Sequence, residues 1–202
     1  MTTRQAIGAS VAAAGLAAIS SFGEAKSGAA APDFKLKSSA GAEHALADFK
    51  GKYVVLEWTN FDCPFVRKHL DSNNLQTLQK TYTEKGVVWL TICSSAEGKQ
   101  GHFKAERWNE LLTQRGAKPT ALLLDYDGTV GRQYGAKTTP HMFVVNPEGV
   151  VIYAGALDSK PTFDKDDVPG AENYVRKTLD AALSGKPLAP WETKPYGCSV
   201  KY

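Results

Sequence analysis

Four apolar, β-branched stretches constrain the fold of this chain more than any other feature of its sequence. They are YVVLEW at 53–58, VVWLTIC at 87–93, ALLLD at 121–125 and HMFVV at 141–145. The first three are almost continuously hydrophobic, with little alternation between apolar and polar residues. Strands of this kind are usually buried on both faces, as in a parallel or mixed sheet that lies under helices.

Helical patterns separate these predicted strands. Leu75, Leu78 and Tyr82 recur at i, i+3 and i+7, and Gly86 ends the pattern. Three further segments are predicted to be helical: residues 103–116, residues 129–135 (TVGRQYG) and residues 174–185. The arms of MFVVNPEGVVIYAG predict an antiparallel hairpin around NPEG, and DFKLK predicts an edge hairpin or extended segment. This order of elements predicts an α/β fold with a central mixed sheet flanked by helices.

The length of 202 residues suits one compact domain. We assign that domain to residues 31–187 and expect residues 188–202 to form an extended tail, because the end of the sequence is rich in proline. The net charge is only +3, and no run of lysine and arginine is present. This distribution argues against a nucleic-acid-binding surface.

The first 25 residues have the composition of a leader. MTTRQ carries Arg4, AIGASVAAAGLAAIS is uncharged and rich in alanine, and small residues follow up to Ala25. This order is typical of a secretory signal peptide cleaved near Ala25, although a mobile tail or a weak membrane anchor would share the composition. No later segment reaches the ~18 apolar residues of a membrane span. We therefore expect a periplasmic or otherwise extracytoplasmic bacterial protein, in a compartment where disulfides persist.

One cysteine lies where the first apolar run meets a helix. In NFDCPFVRKH, Pro64 fits the first helical turn, which places Cys63 at or beside the N-cap. Unpaired backbone N–H groups and the positive end of the helix dipole favour a thiolate there. Arg67, four residues further on, would add a positive charge on the same face, whereas Asp62 opposes it. The alternative is an inert, buried cysteine.

A proline precedes the fourth apolar run, in KTTPHMFVV. A Thr-Pro bond in a tight turn before a strand is a place where the cis form can be held, so we expect a cis bond before Pro140. An ordinary proline at the start of a strand is the alternative. The combination of Cys63 and Pro140 is more informative than either residue alone.

Several segments carry a family resemblance. APDFKL, LADFKGKYVVLEWTN, LLLDYDGTVGRQYGAKTTPHMFVVNPEGVVIYAG and the lone DCP resemble the thioredoxin-fold redoxins, the group that contains alkyl hydroperoxide reductase/thiol-specific antioxidant domains. The resemblance covers roughly residues 31–187 and implies a thioredoxin-like fold with thiol chemistry. The closing YGCSVKY resembles a bacterial thioredoxin-like subgroup that ends in Gly-Cys-Ser-Ile-Lys-Trp and carries Cys-Asn-His-Cys-Pro at its site. Here Asn60 replaces the first cysteine of that pair, so a local Cys-X-X-Cys disulfide cannot form.

The second sulfur of a redox pair must therefore come from elsewhere. Cys198 lies in a tail that can fold back over the sheet, and we prefer it as the resolving cysteine. Cys93 is the competitor because it ends the strand predicted next to VVLEW, although a buried core cysteine is its simpler interpretation. A tail cysteine that is free or pairs between molecules is a further alternative. The rule that bridged Cα atoms lie within ~7 Å would decide between the pairings.

We interpret the chain as an exported thiol/disulfide oxidoreductase of the redoxin class. Cys63 would attack a disulfide of a partner protein or a peroxide, Cys198 would resolve the product, and a thiol reductant would regenerate both. Pro140 would border the sulfur, and no cofactor or metal is required.

Two rival classes remain open. The first is a peroxidase, although peroxiredoxins use Pro-X-X-X-Thr/Ser-X-X-Cys and this chain has Leu56 and Asn60 at those positions, where only the Asn60 amide could substitute as a donor. The second is a non-enzymatic member of the fold, either redox-inactive or copper-binding. Cys63 with His141 resembles the copper chaperones of the Sco type, but these use two cysteines, and copper(I) prefers thiolate-rich sites.

Overall fold

The computed structural model describes residues 24–202. The predicted signal peptide at 1–25 lies outside the described residues except for its last two positions. Within residues 24–202, no helix combines the length and the apolar character needed to cross a bilayer.

Strands and helices alternate along the chain as the sequence predicts. The strands are β1 (Lys35–Ser38), β2 (Glu43–Ala45), β3 (Val54–Trp58), β4 (Val88–Cys93), β5 (Ala121–Leu124), β6 (Thr138–Thr139), β7 (His141–Val145), β8 (Val151–Gly155), β9 (Trp191–Glu192) and β10 (Cys198–Ser199). The α-helices are α1 (Pro64–Asp71), α2 (Asn74–Glu84), α3 (Ala105–Arg115), α4 (Thr129–Tyr134) and α5 (Tyr174–Leu183). Two short 3-10 helices span Leu46–Phe49 and Lys165–Gly170.

The main sheet is mixed, with the strand order β2-β1-β5-β4-β3-β7-β8-β9. β3, β4 and β5 are parallel to one another, whereas β7 runs antiparallel to β3. Every residue of β3, β4 and β7 is buried, because helices and loops cover both faces of the sheet. The prediction of a mixed sheet under helices is confirmed.

Side chains alternate between two core layers. Val55 and Trp89 pack on the layer that contains α1, α2 and α5, whereas Leu56 and Leu90 pack on the opposite layer. This alternation is the period of two expected for strands buried on both sides. Because β3 and β4 are parallel, their carboxyl ends lie at the same edge of the sheet, next to the start of α1. This edge is the usual place for a functional site in such sheets.

The tail is more ordered than the predicted extended segment. β9 adds to the edge of the main sheet, parallel to β8, and the Trp191 ring lies 4.6 Å from that of Tyr153. Further on, β10 pairs antiparallel with β6 in a separate two-stranded sheet. The end of the chain therefore crosses from the sheet edge to the region next to α1.

Candidate functional site

Cys63 lies between the end of β3 and the start of α1. It is the N-cap of α1, with extended backbone angles of φ −74° and ψ 125°, and Pro64 occupies the first helical turn. Its carbonyl accepts hydrogen bonds from the N–H groups of Val66 and Arg67, at 3.1 and 2.9 Å. The residue has no exposed surface. The sequence prediction of an N-cap cysteine before a helical proline is confirmed.

The bond between Thr139 and Pro140 is cis, as the sequence predicts. This bond connects β6 to β7 and turns the Thr139 carbonyl toward the start of α1. The Cys63 thiol donates a hydrogen bond to that carbonyl, with an Sγ to O distance of 3.1 Å. The cis proline loop is thus the direct neighbour of the sulfur.

The tail brings a second thiol to the same place. In the pairing of β10 with β6, Cys198 is opposite Thr139 and Ser199 is opposite Thr138. Thr139 therefore touches both Cys63, through its carbonyl, and Cys198, through strand pairing. Both cysteines are free, and each of them affects the pKa of the other.

The two thiols differ in acidity. Burial acts to raise the pKa of Cys63, but the polar groups of Cys198, Thr139 and Val66 around its sulfur bring this pKa below its ordinary value. Burial raises the pKa of Cys198 to about 11, and the proximity and charge of Cys63 act in the same direction. Cys63 is therefore the more acidic thiol of the pair.

The sequence model of the Redoxin family matches residues 26–175, which include β1 to β8 and the start of α5. The chain belongs to the Redoxin family. Membership places it among the thioredoxin-like thiol oxidoreductases, in agreement with the two thiols beside a cis proline.

Individual relatives agree with this assignment. The thioredoxin-like protein YneN of Bacillus subtilis (strain 168) is 29% identical over 143 residues, which cover 70% of this chain and 79% of that protein. A hypothetical protein of Sinorhizobium meliloti 1021, SMc02350, superposes with a TM-score of 0.73 at 24% identity, covering 89% of this chain and 96% of its own. An uncharacterized conserved protein of Geobacillus kaustophilus gives a TM-score of 0.72 at 27% identity, with coverages of 91% and 94%. The thioredoxin-like fold expected from the sequence is confirmed.

The third cysteine of this redoxin, Cys93, makes its hydrogen bond outside the pair. Cys93 ends β4 and is fully buried, and its thiol donates to the Gly101 carbonyl at 3.4 Å. Burial raises its pKa to about 11, so the thiolate is suppressed at neutral pH. Its surroundings fit the alternative of a core cysteine better than that of a partner for Cys63.

Arg67 does not lie where the sequence prediction placed it. Its guanidinium donates to the Asp62 carbonyl at 3.0 Å and is not among the groups that lower the pKa of Cys63. The spacing of four residues implied a shared helical face, but Cys63 is an N-cap with extended backbone, so its side chain points into the protein while Arg67 faces outward. Arg67 borders the entrance to the site, in an open cleft with Asp62 and Lys165.

Hydrogen bonds hold the Asn60 side chain in the loop before Cys63. Its amide nitrogen donates to the Gln100 carbonyl at 3.2 Å, and its amide oxygen accepts from the Asp62 N–H at 2.9 Å. Gly101 has φ +84°, and a Cβ on it would lie 2.3 Å from the Asn60 amide oxygen. Asn60 therefore has a structural role where the family's first cysteine would stand, and Gln100 engages one of its two amide N–H groups.

The described residues do not form a set of metal ligands that would favour the copper-binding alternative. Residues 24–202 hold no group of three or more histidine, cysteine or carboxylate side chains arranged for a metal ion. Nδ1 of His141 accepts a hydrogen bond from the Lys137 N–H at 3.2 Å. Burial lowers the pKa of His141 to about 3, which keeps this imidazole neutral.

Sequence reasoning missed a buried ionic group next to the site. Lys68 of α1 forms an ion pair with Asp158, at 3.3 Å between Nζ and Oδ2, and the two side chains are 0% and 1% exposed. The Tyr196 hydroxyl of the tail donates to the other oxygen of Asp158. We call Lys68, Asp158 and Tyr196 the Asp158 cluster. No short motif marks it, since its members are far apart in sequence and a helical lysine is normally solvent-exposed.

Proposed function

We propose that this redoxin is an exported thiol–disulfide oxidoreductase in which Cys63 is the nucleophile and Cys198 the resolving thiol. One observation carries the proposal. The pairing of β10 with β6 sets Cys198 opposite Thr139, whose carbonyl contacts the Cys63 sulfur. The tail thereby supplies, as Cys198, the second sulfur that Asn60 does not provide.

The first step forms a mixed disulfide. The Cys63 thiolate attacks one sulfur of a substrate disulfide, the substrate S–S bond breaks, and the departing substrate sulfur leaves as a thiolate that takes up a proton. Pro140 and the Thr139 carbonyl border the reacting sulfur. Because Cys63 has no exposed surface, the tail must move aside before a substrate can reach it.

The second step uses a change in the acidity of Cys198. Burial is the main cause of its raised pKa, but the proximity and charge of Cys63 add to it. The charge of Cys63 disappears once Cys63 is bound in a mixed disulfide, so Cys198 loses its proton more readily at that stage. Its thiolate then attacks the Cys63 sulfur, releases the second half of the substrate as a thiolate, and leaves a Cys63–Cys198 disulfide.

An external thiol reductant regenerates the pair. Its thiolate attacks Cys198, which is the more exposed of the two sulfurs, and Cys63 leaves as the better leaving group because of its lower pKa. A second reductant thiolate attacks the reductant sulfur in this mixed disulfide and frees Cys198. Two thiols are thus oxidised to one disulfide for each redoxin disulfide reduced.

Non-reducing peptide mapping of the exported protein tests the assignment of both cysteines. We expect a Cys63–Cys198 disulfide, a free Cys93 thiol and an N-terminus near residue 26. Cys63→Ser should abolish reduction of insulin disulfides in the presence of dithiothreitol, and Cys198→Ser should accumulate a mixed disulfide on Cys63. Cys93→Ser is the matched control and should keep the activity.

Two results would contradict this function. A Cys93–Cys198 disulfide with Cys63 free would remove Cys63 from the nucleophile's role. A protein retained in the cytoplasm with residues 1–25 intact would contradict export, which rests on the alanine-rich leader alone.

One observation favours a peroxidase as the second candidate. The tail leaves Cys63 without exposed surface, and a peroxide needs a much smaller opening than a protein disulfide does. The thiolate would attack one peroxide oxygen, the O–O bond would break with hydroxide as the leaving group, and the resulting sulfenic acid would condense with the Cys198 thiol to a disulfide and water. The engaged Asn60 amide speaks against efficient peroxide orientation.

Initial rates with hydrogen peroxide and with a model disulfide, at the same reductant concentration, separate these two functions. We expect faster turnover of the disulfide and slow, non-saturating peroxide consumption, because position 60 has no hydroxyl and its amide is held by Gln100 and Asp62. Saturable peroxide consumption that exceeds the disulfide rate, and that Cys63→Ser loses, would make the peroxidase the primary function.

A further inference from the structure

The Asp158 cluster has no part in the thiol steps, yet it connects three segments around them. Lys68 belongs to the helix that begins after Cys63, Asp158 follows β8, and Tyr196 precedes Cys198 by two residues. Besides Asp158, the Lys68 ammonium binds the Lys160 carbonyl at 2.7 Å. These contacts satisfy a lysine that is otherwise removed from water.

Burying this ion pair is costly. Removing an ammonium and a carboxylate from water offsets much of their attraction, so a buried pair contributes little to stability compared with apolar side chains of the same size. A buried pair more often specifies one arrangement of the chain, since each charge accepts only a partner in the right place. The arrangement specified here includes the tail, because Tyr196 supplies the hydroxyl donor to Asp158.

Tyr196 also packs directly on α1. Its ring lies edge-on to Phe65, with 5.9 Å between ring centroids, and the Lys68 ammonium lies 5.6 Å from its centroid. Phe65 and Tyr196 are each two residues from a cysteine of the pair. The contact between these rings therefore aligns the backbone that carries Cys63 with the backbone that carries Cys198.

The one residue between Tyr196 and Cys198, Gly197, is conformationally constrained. Gly197 has φ +137°, and a Cβ there would lie 2.1 Å from the Thr139 carbonyl oxygen. Beyond it, Cys198 is fixed by its pairing with Thr139. Cys198 is thus held on one side by the Asp158 cluster and on the other by β6.

From these contacts we propose that Tyr196, held by Asp158 and Lys68, is a positioning residue for the disulfide step, which sets Cys198 against Cys63 and closes the tail over it. The proposal rests on the function proposed above. It assigns the tail two states, a closed state with Tyr196 in the cluster and an open state that admits substrate to Cys63.

Tyr196→Phe removes the hydroxyl donor and keeps the ring. Tyr82→Phe is the matched control, because the Tyr82 hydroxyl also donates to an aspartate, Asp180 at 2.8 Å, but it does so between α2 and α5, away from the tail. Both variants should be shown to remain folded by circular dichroism under the conditions used. Two measurements then report on the tail.

The first measurement is the equilibrium of the Cys63–Cys198 disulfide in a glutathione redox buffer. Because Tyr196 lies in the cluster in the reduced protein, Tyr196→Phe loses the bond in both redox states, and the equilibrium constant falls only to the extent that the reduced tail is open. We expect this fall, multiplied by the rise in the alkylation plateau described next, to be about tenfold, which is the effect of losing one hydrogen bond to a charged group. A role confined to overall stability would lower the free energy of unfolding without changing this constant. Tyr82→Phe should leave the constant unchanged.

The second measurement is the pH–rate profile for alkylation of Cys63 by iodoacetamide in the reduced protein. For Tyr196→Phe we expect the plateau to rise by most of this tenfold effect, because the tail is closed in the reduced protein and opens more often in the variant, and the midpoint to move to higher pH, because Cys198 donates less often to the thiolate. If Tyr196→Phe matches Tyr82→Phe in both the disulfide constant and the alkylation plateau, the proposal is overturned.

The two proposals fail in different ways. If the unsubstituted protein forms no Cys63–Cys198 disulfide, the proposed function fails. The alkylation plateau still decides in that case whether Tyr196 holds the tail over Cys63.

Discussion

At the scale of single residues, the environment of each thiol decides its chemistry. Cys63 is a helix N-cap with hydrogen-bond donors around its sulfur, and its pKa is lowered despite burial. Cys93 is equally buried and, like Cys63, donates to a backbone carbonyl, but its pKa is raised to about 11. Burial and a carbonyl partner would therefore not separate these two residues, whereas the proximity of Cys198 to Cys63 does.

His69 makes stability depend on pH. Asn74 donates to its Nδ1 at 2.9 Å, so the ring proton is on Nε2, which faces Asp158 at 3.9 Å. Burial lowers the pKa of His69 from 6.5 to about 4, the Asp158 charge opposes this, and the Lys68 charge adds to it. Between these pH values the unfolded chain binds a proton that the native chain does not, so the free energy of unfolding decreases as the pH falls from 6.5 toward 4.

Urea denaturation of His69→Gln at several pH values checks this effect. The unsubstituted protein should lose up to about 3 kcal/mol more than the variant over this pH range, because the variant has no imidazole to protonate. His44→Gln, on the edge strand β2, is the control and should follow the unsubstituted protein. Parallel pH profiles for His69→Gln and the unsubstituted protein would refute the assignment.

At the scale of secondary-structure elements, two very short strands complete the site. β6 and β10 contain two residues each, yet their pairing joins the cis proline loop to the tail. The pairing requires close approach of the two backbones at Gly197, where φ is +137°. A strand too short to be recognised from periodicity thus determines which cysteine meets Cys63.

Gly197→Ala tests this element. A methyl group would collide with the Thr139 carbonyl, and alanine strongly disfavours the φ of +137°, so β10 should detach from β6. We expect a loss of about 1–3 kcal/mol in the free energy of unfolding and faster alkylation of Cys63. Both effects are measurable in the reduced protein.

Gly185→Ala provides the comparison. Gly185 also has a positive φ, of +69°, but nothing lies within 4 Å of a Cβ placed there. Its substitution should cost about 1 kcal/mol through backbone strain alone and leave the alkylation rate of Cys63 unchanged. Equal alkylation rates for the two alanine variants would show that the tail does not depend on Gly197.

At the scale of the whole molecule, the sequence predicts the sheet better than the site. The buried strands, the hairpin around 146–149, the N-cap position of Cys63 and the cis bond before Pro140 follow from local patterns, and the structure confirms them. Local patterns succeed here because each depends on residues close together in the chain.

The sequence does not reveal the Asp158 cluster, because this cluster consists of contacts between distant segments. Lys68, Asp158 and Tyr196 meet only when the chain is folded, and their spacing in the sequence contains no period. The pairing of Cys198 with Cys63 stayed one of several alternatives because it also joins distant segments. The orientation of Arg67 was missed for a local reason, since helical spacing does not report that an N-cap side chain leaves the helical face.

If the chain is exported as proposed, the burial of Cys93 has a consequence for how it matures. A chain with three cysteines has three ways to form one intramolecular bridge, and only one of them is the proposed bridge between Cys63 and Cys198. Once β4 is in the sheet, the thiol of Cys93 is enclosed and protonated, which withdraws it from exchange. Sheet assembly before oxidation would therefore favour the proposed bridge over the two bridges that involve Cys93.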